Sequence, residues 1–142
     1  VGYLIHKIDN RIKANIDARL KAHDLTFSQS QILFQLERNG SSMPQKQLQK
    51  ILQVSHPTMV GLVQRLETNG YVCSSIDEKD RRSKIVTVTK KAEEFSHNMC
   101  EAREENRKQM VRGFSEEEID ELFRLLNKVY ENIGSEKGKE II

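Results

Sequence analysis

The sequence predicts a mainly helical α+β protein, six helices with one small β-hairpin between the fourth and the fifth, and three observations lead there. Apolar residues recur at helical spacing through most of the chain, punctuated by residues that cap helices. That period gives way to alternation only between Tyr71 and Val88. The longest apolar stripes fall at the two ends, so that a module of shorter elements is framed by helices.

At 142 residues the chain can bury one ordinary core and is too short for two full domains, so residues 1–142 are expected to form a single folding unit. Hydrophobic residues make up 37% and charged residues 31%. That balance suits long, partly exposed helices.

In helix 1, Leu4, Ile5, Ile8, Ile12, Ile16 and Leu20 repeat mostly every four positions and form one stripe. His23-Asp24-Leu25 breaks the pattern. Thr26 with Gln29 reads as a capping box for helix 2, which turns Ile32, Leu33 and Leu36 inward and closes at Asn39-Gly40. Ser42 reads as the cap of a short helix 3 reaching Leu52, with Pro44 in its first turn, where a missing N–H costs nothing. Gln53-Val54 makes a turn. Ser55 caps helix 4, again with a proline, Pro57, in the first turn, and Met59, Leu62, Val63 and Leu66 follow at helical spacing until Asn69-Gly70.

Tyr71 to Ile76 and Arg82 to Val88 are rich in β-branched residues and flank the polar turn Asp77-Glu78-Lys79-Asp80, which predicts a two-stranded hairpin. Thr89 reads as the cap of a long helix 5 carrying Ala92, Phe95, Met99, Ala102, Asn106 and Met110, interrupted near Gly113. Ser115 and Glu118 form a second capping box, opening helix 6 with its wide face of Ile119, Leu122, Phe123, Leu126, Val129, Tyr130 and Ile133. The tail from Ser135 is polar and expected to fray. Val1 already lies inside a helical pattern, which leads us to expect residues ahead of it.

Several function classes lose support at this point. The net charge of +2 does not by itself indicate a nucleic-acid partner, so the placement of charge must decide. Cys73 and Cys100 stand 27 residues apart with no Cys-x-x-Cys or His pair beside them, so neither a disulfide framework nor a metal site is expected, and free thiols in a reducing compartment are. There is no apolar run of roughly 18 residues and no signal-peptide pattern, which makes a cytoplasmic protein with no membrane partner the expectation. His6, His23, His56 and His97 are the only histidines, and none adjoins a Ser/Asp or metal-ligand motif. Glu116-Glu117-Glu118 opens helix 6, where negative charge offsets the helix dipole. Without a glycine-rich phosphate loop either, neither enzymatic activity nor a cofactor is expected.

The middle of the chain is more informative. Two helices that cross steeply bury residues at set spacings and leave one face of the second helix free. Counted from Gln45, the fourth, eighth, tenth, fifteenth and eighteenth places are Leu48, Leu52, Val54, Met59 and Leu62, all apolar as a helix-turn-helix requires. The ninth place, where glycine is common, is Gln53, which predicts a turn without positive φ. Ser55, His56, Pro57, Thr58, Val60, Gly61, Gln64 and Arg65 then lie on or near the outer face of helix 4. Ser55 and Thr58 suit phosphates or base edges, Gln64 and Arg65 suit bases or backbone, and Gly61 permits close approach. A merely solvated helix face is the competing reading, and the hairpin weighs against it. Lys79, Arg81, Arg82 and Lys84 project directly after that helix, where arginine suits the concentrated negative potential of a minor groove. Asp80, two residues from Arg82, is placed to orient its guanidinium.

The run from Val54 to Val72, Val-Ser-His-Pro-Thr-Met-Val-Gly-Leu-Val-Gln-Arg-Leu-Glu-Thr-Asn-Gly-Tyr-Val, followed by Asp77-Glu-Lys-Asp-Arg-Arg-Ser-Lys84 and Val88-Thr89, resembles the MarR family of bacterial and archaeal regulators. The likeness extends over nearly the whole chain. It implies a winged helix-turn-helix, residues 27–88, between dimerisation parts at 1–25 and 89–142. It further implies a homodimer through helices 1, 5 and 6, helix 4 in the major groove of double-stranded DNA, and the wing arginine in the minor groove, with Arg82 and Asp80 matching the family's wing pair. Many members carry a polar or basic residue where this chain has Gly61. A repressor on a pseudo-palindromic operator, released by a small aromatic or phenolic anion, is the function the resemblance implies. His6, His23 and residues of helices 2 and 5 are placed to line a pocket for such an effector. Thiol sensing is not expected, because neither cysteine lies near the N-terminus.

Two further readings stay open on the sequence. The terminal stripes fit a two-fold partner, which would set recognition helices about one DNA turn, roughly 34 Å, apart, or an intramolecular helical bundle. A winged helix used for protein contacts is separated from a DNA reader by salt-sensitive duplex binding.

Overall fold

A computed structural model describes residues 1–134. In chain order its elements are α1 (Gly2–Ala22), α2 (Phe27–Arg38), β1 (Ser42–Pro44), α3 (Gln45–Leu52), α4 (His56–Thr68), β2 (Val72–Ile76), β3 (Lys84–Val88), α5 (Lys90–Met110) and α6 (Glu116–Gly134). The expected fraying from Ser135 lies outside the described residues. The chain divides into two compact units, Val1–Met99 and a second beginning at Cys100.

The first unit holds a continuous apolar core, in which Leu20, Ile32, Leu36, Leu48, Met59, Leu66, Tyr71 and Val86 are fully buried. All but Tyr71, which lies between α4 and β2, come from the inward stripe of an element. Burying one such residue contributes about 1.5–3 kcal/mol, so the stripes of α2, α3, α4 and the inner end of α5, where Ala92 and Phe95 are buried, are what commit these helices to one another. The capping boxes form as expected: Gln29 N–H donates to Thr26 Oγ1 while Thr26 N–H donates to Gln29 Oε1 at 2.9 Å, and in the second unit Ser115 and Glu118 reciprocate in the same way.

Tyr71 is the junction of this unit. Its hydroxyl donates to the His23 carbonyl at 2.6 Å, its ring meets Phe95 edge-on, and Lys91 lies over its face at 4.4 Å. Burial, with the Asp24 carboxylate as a lesser cause, holds its phenol above the ordinary value.

The structure departs from the sequence reading in five places. The sheet has three strands in the order β1-β3-β2, all antiparallel, not two. Ser42 and Pro44 accordingly belong to β1 rather than to the first turn of a helix. Ser42 pairs with Thr87, Met43 with Val86 and Pro44 with Ile85, and Met43 is buried while its neighbours are not. Pro44 is tolerated because β1 is an edge strand, where a missing donor breaks no ladder.

The hairpin strands begin one residue after Tyr71 and two residues after Arg82, leaving Arg82 in the turn. The Thr89 hydroxyl donates to the carbonyls of Gly70 and Tyr71, tying the end of β3 to the start of β2 instead of accepting from a helix N–H. Finally, Gln53 does adopt a left-handed conformation, φ +52°, its N–H donating to the Gln49 carbonyl. A non-glycine residue there costs about 1–2 kcal/mol, which an unbranched, exposed side chain can bear when both flanking helices are packed.

Candidate nucleic-acid interface

The outer edge of α4 is built by its own cap. Ser55 Oγ accepts from the Thr58 N–H at 3.3 Å and donates to Thr58 Oγ1 at 2.8 Å. The Ser55 hydroxyl is thereby occupied in the cap, and the proton of Thr58 is the one left to point away from it, toward an acceptor such as a phosphate oxygen. His56 Nδ1 lies 3.3 Å from Gln49 Oε1, which fastens the start of α4 to α3. Pro57 sits in the first turn.

Along the rest of the helix Met59, Leu62, Val63 and Leu66 are buried, and the helical period then forces Val60, Gln64 and Arg65 outward, where all three are exposed. Gly61 is half-buried, and a Cβ added there would meet nothing within 4 Å. Its lack of a side chain therefore serves no packing inside this chain, although glycine within a helix costs about 1 kcal/mol relative to alanine.

The wing tip is folded by its acidic residues. Asp77 Oδ1 accepts from the Lys79 N–H at 3.0 Å and Asp80 Oδ1 from the Arg82 N–H at 3.1 Å. The Asp77 N–H donates to the Ser83 carbonyl, and the Ser83 N–H to that of Asp80. These bonds turn the chain so that Lys79, Arg81, Arg82 and Lys84 are all exposed. Asp80 acts on Arg82 through the backbone, whereas the sequence suggested a hold on the guanidinium. Its second oxygen meets Lys46 Nζ at 3.3 Å. The Arg82 N–H bond first, and Lys46 second, keep the Asp80 carboxyl below the ordinary aspartate value, so it is a carboxylate throughout the neutral range.

The sequence-derived DNA-contact positions thus fall within the first unit, on α4 and its cap Ser55, in the β2–β3 turn and, for Lys84, at the first residue of β3. Lys46 and Gln49 of α3 were not among them. Their signal is tertiary: Lys46 meets a residue 34 positions away, across a strand pairing too short to show as a period. Among the described residues no group of three or more His, Cys, Asp or Glu is placed to hold a metal ion, and no helix is long and apolar enough to cross a membrane.

Comparison with known proteins agrees with this architecture. Residues 23–83 match a model of the MarR family. The chain is similar to MepR of Staphylococcus aureus in its DNA complex, with 25% identity, 94% of this chain and 99% of that one covered, and a TM-score of 0.82. A further MepR structure, described as a transcription regulator of the multidrug efflux pump MepA, aligns at 24% identity over 93% of this chain and 97% of that one with a TM-score of 0.82. The MarR regulator of Oenococcus oeni aligns at 27% identity over 92% and 98%, TM-score 0.59. With its helix-turn-helix, its three-stranded wing and its terminal helices, this chain has the fold of the MarR-family winged helix transcription regulators, whose model its residues 23–83 match.

Proposed function

We propose that the protein is a sequence-specific reader of double-stranded DNA that represses transcription as a homodimer. The observation that carries this reading is the joint exposure, on one compact unit, of a polar recognition edge on α4 and a basic wing tip whose shape is set by its own aspartates. Residues 27–88 are the DNA-binding part. Thr58, Gln64 and Arg65, with His56, Pro57, Val60 and Gly61 beside them, face the major groove. Ser55 holds their helix start, and Lys79, Arg81, Arg82 and Lys84 serve the backbone and the adjacent minor groove. The DNA complex of MepR supports this assignment by analogy.

Residues 1–25 and 89–142 are the dimerisation part. On α1 Leu4, Ile5, Ile8 and Ile12 are exposed, and on α6 Leu122, Phe123, Leu126, Tyr130 and Ile133 are exposed. So much apolar surface on each element is expected to be covered by a second copy. A two-fold dimer presents recognition helices about 34 Å apart to a pseudo-palindromic operator. Release by a small aromatic or phenolic anion is the regulation we assign by resemblance, and the site of action is the compartment that holds the DNA, the cytoplasm of a bacterial or archaeal cell.

The test is affinity for duplexes selected from a random pool, measured over a salt series. Tight binding should fall steeply with salt as counterions are released, and Arg82→Ala should weaken it about tenfold while leaving the melting temperature unchanged. No preference for a selected duplex over a random one, or unchanged affinity in Arg82→Ala at moderate salt, overturns the assignment. Adding a phenolic carboxylate to the complex tests release directly.

A further inference from the structure

Lys46 and Asp80 lie 34 residues apart in the chain, and neither side chain is among the DNA contacts assigned above. We propose that Lys46 is a positioning residue for DNA binding: through Asp80 it clamps the wing tip to α3, so that wing and recognition helix meet the duplex as one piece. This rests on the DNA-binding reading and deepens it by assigning how the two contact elements are held in register.

The two oxygens of Asp80 do different work. Oδ1 fixes the backbone of Arg82, which shapes the turn, and Oδ2 faces Lys46 Nζ, which sets where that turn stands relative to α3. Lys46 is delivered there by β1. Pro44 pairs with Ile85, α3 starts at the next residue, and its first turn therefore lies beside the root of the wing. From α3 the contacts continue to α4 through Gln49 Oε1 and His56 Nδ1. Wing tip, α3 and recognition helix are thus linked by two side-chain contacts at the same 3.3 Å separation.

The pair has little else to do. The Lys46 and Asp80 side chains are 67% and 46% exposed, and an ion pair in such surroundings adds little to folding stability. Its effect falls on orientation. Past the last strand pair, Ile76 with Lys84, the tip has no ladder to hold it. A tip left to wander would have its ordering cost deducted from the affinity of the complex.

Lys46 has one rival role, a direct phosphate contact from the start of α3, and a mutant cycle separates the two. Affinity of the full chain for a selected duplex would be measured across a salt series for Lys46→Met, Asp80→Asn and the double variant. Asp80→Asn keeps an amide oxygen to accept from the Arg82 N–H and removes both the charge and the second acceptor that faces Lys46. A clamp predicts that each single change weakens binding about two- to fivefold and that the double variant binds no worse than the weaker single. It also predicts an unchanged salt slope. A phosphate contact predicts that Lys46→Met lowers the slope by about one, that Asp80→Asn tightens binding, and that the effects add. That pattern, or unchanged affinity in both singles, overturns the clamp. Arg82→Ala in the same series keeps the two levels apart: if it weakens binding while Lys46→Met does not, only the clamp falls, and if neither matters the interface itself is misassigned.

Discussion

Helices α2, α3 and α4 use apolar residues in the opposite way to helix α6. Within Val1–Met99 the inward stripes of α2, α3 and α4 are closed off from water, down to zero exposure at Ile32, Leu36, Leu48, Met59 and Leu66. On α6 the stripe is at least as apolar, yet no residue is buried, and Phe123, Tyr130 and Ile133 are more than two-thirds exposed. Similar patterning therefore has two meanings. In α2, α3 and α4 it closes a core within the first unit, and on α6, as on the exposed stripe of α1, it leaves a large apolar surface.

The sharpest way to break this contrast is to truncate one residue of each kind. Leu66→Ala should cost about 2–5 kcal/mol of stability, read from denaturant unfolding. Leu126→Ala should leave the unfolding of dilute protein nearly unchanged, and an equal loss in both would show that α6 is part of the same core. Next in size is assembly: Phe123→Lys with Leu126→Lys should convert a dimer into a species of 16.5 kDa by light scattering at micromolar concentration. A wild-type protein already at that mass would contradict the covering role of α6.

The smallest effect is also the most discriminating for α4. Gly61→Ala has free space for its methyl and should stabilise the isolated protein by about 0.5–1 kcal/mol while weakening duplex binding. Stabilisation without loss of affinity would mean that DNA does not approach the helix closely at Gly61.

Most of the helical frame was legible in the sequence, because it is written locally. Thr26 with Gln29, Ser55 with Thr58, and Ser115 with Glu118 are pairs three residues apart, and each forms the bonds its spacing promises. The core positions of α4 followed from period and Leu48 of α3 from helix-turn-helix spacing, whereas Leu52 and Val54, expected inward by the same spacing, are only partly buried. What was lost depends on distant partners. Three residues of β1 carry no readable alternation, so their pairing with β3 was invisible, and with it the route that brings Lys46 to Asp80. Gln53 shows the complementary error: absence of glycine was taken to exclude positive φ, whereas packing on both sides imposed it. The proposed DNA contacts on α4 and the wing were open to sequence reasoning because exposure follows from the same periods that define burial.

The order β1-β3-β2 makes the returning strand of the wing the central one, gripped along both edges, while β2 is held on one. Residues 77–83 lie beyond the last paired position and are closed by the turn's own hydrogen bonds. In the DNA reading proposed above, Arg82 would be carried into the groove by the strand held on both sides, so that tip and α3 shift together rather than separately.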